Sequence, residues 1–395
     1  MSAMPLARAV LTGAFLVGFA GSAFALDGAD FAKALNAAYA PSGGQIEFSR
    51  ADVAGNTVIL RDAAIDYRGG QKLPTGDLTF SGVEEESGGG YTVKTLTMPD
   101  IDYRKDGNEL SVQNIEIDGI QIPPVHPQAG SAPMLIYHTA STGPIKLSDK
   151  QGEIFAASGV RSSIDRTAGG AGYDTSFVAD GLTLHFDRAK DPKTVKAVKA
   201  LGYGTVTGAL SIKASWQRDG GKVNLSQWQL KLDNVGTLDL TASLSGYTAE
   251  FIESLRQMQE KLRANPEDKK ARQAYGIAML GLVQQLNFGG ASISFVDDSV
   301  TRKVLDYLGK QQGVSGDQMA AAATAMLPMA LGRLQNPQFK QQIVDAVGTF
   351  LNNPKNIAIK AAPDKPVSVP TIMGAAMAAP QTLPDVLNVT VTANQ

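Results

Sequence analysis

From about Gln45 to Leu244 apolar and polar residues alternate between Gly- and Asp-containing turns, a period of two that predicts strands. In Ala209–Arg218, Leu210, Ile212, Ala214 and Trp216 share one face, while Ser211, Lys213, Ser215 and Gln217 share the other, which predicts one buried and one wet face. Asp219-Gly220-Gly221 supplies a tight turn. The return strand, Lys222 to Leu232, shifts its apolar phase between Leu225 and Trp228 and so calls for a bulge or twist. A third strand, Thr237 to Ser245, turns Leu238, Leu240, Ala242 and Leu244 inward, completing an antiparallel meander.

The same grammar recurs upstream. Ile65-Asp66-Tyr67-Arg68 returns 36 residues later as Ile101-Asp102-Tyr103-Arg104, each copy ending a strand at a Gly-containing turn. A repeated hairpin fits a sheet in which each unit extends its neighbour's core. Pro- and Gly-rich loop chemistry occupies 123–144, strands resume over Ile145–Arg166 and Ser176–Asp187, and Lys190–Leu201 predicts a short helix.

After Ser245 the period becomes helical. Thr248 can cap a helix with Phe251, Ile252, Leu255, Met258 and Leu262 on one stripe. Asn265-Pro266 and Asn336-Pro337 each place Asn at a cap and Pro in the first turn. Further helices are predicted over Asp298–Gln311 and Ser315–Leu331; the second is apolar on most sides, which predicts a buried position. A strand interrupts the helices at Leu286–Val296, and strands return at Ala358–Ala361 and Val386–Thr392. The expected fold is therefore α+β: an elongated antiparallel β-sheet with repeated hairpins, a groove or a sandwich, plus a C-terminal helical insertion or cap. The expected divisions are 1–25, a β-rich body over 26–245, a mainly helical cap over 246–354, and strands over 355–395 that rejoin the β body.

Residues 1–25 give the chain an address. Arg8 is followed by the uncharged run Ala9–Phe19 and by Ala23-Phe24-Ala25, the pattern of a secretory signal peptide cut between Ala25 and Leu26. The alternative is an uncleaved anchor, since Leu6–Ala25 is just long enough to span a bilayer. The most apolar later run, Met319–Leu331, is too short to span and is followed by Arg333, so no transmembrane helix is expected in the mature chain. The absence of Cys removes disulfides, thiolate metal sites and lipoprotein attachment, which suits a bacterial periplasm. A net charge of -2 shows no electrostatic footprint for nucleic acid.

Candidate chemistry is sparse. Gly-x-Ser-x-Gly, Ser-x-x-Lys and His-Glu-x-x-His are all missing, and so is any His pair at ligand spacing. His126 lies among prolines, His138 near a loop, and His185 alternates with Leu182 and Leu184, which places it on a solvent face. Asp100 and Asp102 read as a wet strand face, Asp297 and Asp298 as a helix start, and Glu84-Glu85-Glu86 as an exposed turn. The expectation is a protein without catalytic residues, metal or cofactor.

The exported N-terminus, the repeated hairpins, the Gly236–Ser245 strand, the Asn-Pro helix starts, the Leu305–Gly313 helix end and the Leu387–Thr392 strand resemble the YdgA-like bacterial envelope proteins and, more distantly, the AsmA-like superfamily. The likeness covers Thr205 to Gln395. It implies an envelope location and a long β-groove associated with lipid handling. It carries over no catalytic residue, and family members often keep an N-terminal anchor where this chain has a cleavage site. On that footing Leu210, Ile212, Trp216, Leu238, Leu240 and Leu244 either line a groove for lipid or another apolar ligand or form core. A different role is assembly with another envelope protein through a sheet edge.

Overall fold

The computed structural model describes residues 26–40, 44–67, 71–86, 88–125, 135–167, 170–264 and 269–395. The expected signal peptide over 1–25, His126 and the helix start expected at Asn265-Pro266 lie outside them.

Helix α1 (Gly28–Tyr39) comes first, followed by strands β1 (Gly44–Glu47), β2 (Arg50–Ala54), β3 (Thr57–Tyr67), β4 (Gln71–Ser81), β5 (Glu84–Glu85), β6 (Tyr91–Thr97), β7 (Ile101–Lys105), β8 (Asn108–Val112) and β9 (Glu116–Ile122). Then come β10 (Thr139–Thr142), β11 (Ile145–Asp149), β12 (Gly152–Ala157), β13 (Gly159–Arg166), β14 (Gly172–His185), helix α2 (Pro192–Leu201), β15 (Thr205–Gln217), β16 (Lys222–Leu232) and β17 (Gly236–Ser245). The C-terminal part holds α3 (Ala249–Ala264), α4 (Lys269–Val283), β18 (Asn287–Asp297), α5 (Val300–Gln312), α6 (Gly316–Ala330), α7 (Pro337–Asn352), β19 (Asn356–Ala361), β20 (Val367–Ser368), α8 (Val369–Ala378), α9 (Leu383–Val386) and β21 (Val389–Ala393).

Among the described residues the strands join one antiparallel sheet with many hairpins, and the fold is α+β with most helices in the C-terminal part. The main path runs β3, β4, β6, β9, β10, β13, β14, β15, β16, β17, β18, β19, β21, with β1 and β2 both paired to β3. A branch, β7, β8, β11, β12, rejoins it at β14. Two readings from the sequence hold in detail. The register slips between Leu225 and Trp228, where the apolar phase changes. The Asn336 carboxamide oxygen accepts from the Phe339 N–H at 2.9 Å, with Pro337 opening α7.

Among the described residues three hydrophobic clusters support the sheet. The first sits under α1, where Phe31 packs edge-on against Phe80 and Tyr91 at 5.0 and 5.3 Å between ring centres. A second joins Ala157, Ala179 and Leu182 to Phe177, Leu210 and Leu230. In the third, α7 lays Ala346 and Phe350 on Phe295, Ile357, Val391 and Ala393.

Several expectations change. Helix α1 was not anticipated, although Asp27 caps it by accepting from the N–H groups of Ala29 and Asp30. Helix α8 was missed because it has no polar face, and it buries none of its residues. Helix α6 is not buried: Met326 and Met329 are 62% and 80% exposed, because α6 packs on α5 and α7 along one side only. Finally, the two faces of β15 do not divide into buried and wet, since most of the strand's residues on both faces are half-buried.

Candidate functional site

Strand register gathers the predicted stripe into one surface. Directly opposed residues share a face, so Ile212, Trp228, Leu240, Ile293, Ile359 and Val391 form a row across six strands. A parallel row contains Leu210, Leu230, Leu238, Phe295, Ile357 and Ala393, and Trp216 and Leu244 lie on the same face through Val223. The six residues singled out from the sequence therefore stand together, and all are half-buried. Leu26 packs beside the first cluster, and Ala25 is outside the described residues.

The face is uncharged along both rows and unevenly covered. Val391 is buried under α7, and Leu210 and Leu230 belong to the second cluster. Between these, Ile293 and Ile359 remain 42% and 46% exposed. At the end of the face Trp216 stacks on Tyr173 at 6.1 Å and donates its indole N–H to the Tyr247 carbonyl at 2.8 Å, which fixes the ring. The opposite face is polar and internally bonded: Gln229 donates to Asp239 at 2.8 Å, and the Thr241 and Ser292 hydroxyls pair at 2.7 Å. The sequence reading missed Trp228, Leu230, Ile293 and Ile359 as parts of the surface. Trp228 and Leu230 were hidden by the bulge, and the β18 and β19 residues by the helices between them and β17.

Both ends of the main sheet carry a side-chain amide. Asn36 of α1 accepts from the N–H of Ile46 at 2.8 Å and donates to its carbonyl at 2.9 Å, so β1 meets a carboxamide where a next strand would pair. On β21, the Gln342 side chain of α7 accepts from the N–H of Val391 at 3.0 Å. Such contacts blunt edges that would otherwise template pairing with another chain.

Polar chemistry collects at the start of β15. A cleft of about 490 Å³ is lined by Tyr203, Thr205, Thr207, Asp233, Ser299 and Lys303, among others. The Tyr203 hydroxyl donates to the Asn234 carbonyl at 3.1 Å, and Lys303 places its ammonium 4.2 Å from the centre of the Tyr203 ring. Beside the cleft His185 departs from expectation. Its side chain is 22% exposed rather than on a free surface, with Nε2 3.5 Å from Glu153 and Nδ1 3.1 Å from the Thr205 hydroxyl. The branch that pairs β12 with β14 brings Glu153 there, and alternation along one strand could not reveal that pairing. Asp187 Oδ1 is buried nearby without a hydrogen-bond partner.

The other candidates sit apart. His138 meets Asp165 at 2.9 Å on the surface. Asp100 accepts from the Asn114 N–H at 2.9 Å, Asp297 from the Thr301 N–H at 2.8 Å at the start of α5, and Glu84, Glu85 and Glu86 are exposed. Among the described residues no group of three or more His, Asp or Glu is arranged to hold a metal ion, and no helix is long and apolar enough to cross a membrane.

A protein-family model described as "Uncharacterized protein" matches residues 229–394, from the middle of β16 to the C-terminal strand. No curated protein matches the chain.

Proposed function

We propose that this is a non-enzymatic protein of the bacterial envelope, exported to the periplasm, which holds a lipid or another apolar molecule against the uncharged face of strands β15 to β19. The observation that carries this reading is the open middle of the row, Ile293 and Ile359 at 42% and 46% exposure beside half-buried Leu240. Burying such a side chain fully is worth about 1.5–3 kcal/mol, a gain that an acyl chain lying between α7 and the second cluster would collect. The uncharged lining favours an apolar occupant over a polar one. The signal-peptide pattern and the resemblance of Thr205–Gln395 to YdgA-like and AsmA-like proteins agree with an envelope role in lipid handling. Edge pairing with another envelope protein has less support, because Asn36 and Gln342 already occupy hydrogen-bonding sites at the two edges.

Native mass spectrometry and lipid extraction of protein isolated from its own periplasm test the reading. Co-purifying apolar ligand is expected, and Leu240→Asp should abolish it while circular dichroism stays unchanged. Ligand-free protein, or ligand retained by the variant, would sink the proposal.

A further inference from the structure

The cleft at the start of β15 holds one cation and one carboxylate that do not neutralise each other. Lys303 and Asp233 both line it, and neither has an ion-pair partner within 4.0 Å among the described residues. Lys303 projects from the first turn of α5 over the face of Tyr203, a contact that orients the ammonium without cancelling its charge. Asp233 is held from the other side, where its Oδ2 accepts from the Thr207 hydroxyl at 2.7 Å. Their surroundings are rigid. The Tyr203 and Ser299 hydroxyls lie 2.8 Å apart and both point their protons at the carbonyl of Asn234, which ties the loop before β15 to the turn after β16 and to the start of α5. A cleft of about 490 Å³ falls within the size range of small-molecule sites.

From this arrangement we propose that the cleft binds a small zwitterion, its anionic group at Lys303 and its ammonium group at Asp233. A simple anion would meet the Asp233 carboxylate and a simple cation the Lys303 ammonium, so each matches half of the lining and opposes the other half. A ligand small enough for the cleft that carries both charges matches both. The shared chemistry is that of a phosphoethanolamine headgroup or a free amino acid. The site does not depend on the apolar face holding a ligand, so either reading can fail alone.

Calorimetric titration of the full-length protein with phosphoethanolamine, glycine, inorganic phosphate and ethanolamine tests the inference. At least one zwitterion should bind about tenfold or more tighter than both single-charge probes. The preferred zwitterion identifies the source: phosphoethanolamine points to a lipid headgroup, glycine to an amino acid. Lys303→Gln and Asp233→Asn should each reduce zwitterion binding to the level of the single-charge probes. Asp233→Asn keeps an acceptor for Thr207, so it serves as the second variant if loss of the Lys303 contact with Tyr203 unsettles the fold. Phosphate binding as tightly as phosphoethanolamine would overturn the proposal. So would the absence of saturation by any probe below about 10 mM, or wild-type binding in both folded variants.

Discussion

Asp62 adopts a φ of 50°, in the left-handed region that disfavours most side chains, at the point where β3 slips register against β4. Its own contacts hold it there: its N–H donates to Asp77 at 3.0 Å and its carboxylate accepts from the Ser49 hydroxyl at 2.9 Å. Arg61, one residue earlier, bridges Asp52 at 2.8 Å and Asp77 at 2.6 Å, tying β2, β3 and β4 together across their polar face. The Arg61 guanidinium, helped by Arg50, holds the pKa of the Asp52 carboxyl below the ordinary carboxylate value. The Asp62 N–H, then Arg61, does the same for Asp77. Carboxyls depressed in the folded state stabilise it above their unfolded pKa of about 3.9, and that contribution is lost as the pH falls through the depressed values. Arg61→Gln should therefore lower the urea midpoint at about pH 7, and the gap to wild type should narrow steadily below about pH 4. A gap that stays constant down to about pH 2 would show that the cluster does not act through these charges.

At the scale of elements, legibility followed how locally each element is determined. The β15–β17 meander could be read because period-two alternation and the Asp219-Gly220-Gly221 turn are contiguous in the chain. The starts of α6 and α7 could be read because Ser315 and Asn336 form their caps within three residues. Helix α1 was also legible in principle, with Asp27 as a local cap and Phe31, Leu35 and Ala38 at helical spacing, and its tertiary role is large. It covers the first cluster, and its Asn36 occupies both hydrogen-bonding groups of Ile46 on β1. Asn36→Ala would leave that N–H and carbonyl without the carboxamide, at a cost of about 1–3 kcal/mol. It would also open the β1 edge to pairing with another chain. The expected outcome is a lower thermal midpoint together with concentration-dependent association by light scattering. Destabilisation without association would mean that Asn36 anchors the helix but does not guard the edge.

For the whole molecule, the apolar face shows where reading from the sequence stops. Alternation identified Leu210, Ile212, Leu238 and Leu240 as one surface, but how much of that face stays open is set by the second cluster at one end and by α7 over β18, β19 and β21 at the other, and four helices and a strand separate α7 from β17. The His185 surroundings and the Lys303 cleft are long-range in the same way, formed where β12, β15 and α5 meet. The sheet is continuous, yet the cluster around Phe31 and Phe80, the one around Ala179 and Leu182 and the one beneath α7 share no residue. In such an extended array each cluster gains stability mainly from its own packing, and backbone ladders couple neighbours. Unfolding should then depart from two-state behaviour. Truncating the fully buried Phe80 to Ala, at a cost of about 3–5 kcal/mol, should weaken hydrogen-exchange protection in α1 and β1–β9 far more than in β18–β21. Phe350→Ala should do the reverse, because its ring packs on Phe295 at 6.4 Å in the third cluster. If either substitution lowers protection equally along the entire sheet, the ladders dominate over the clusters and the molecule unfolds as one unit.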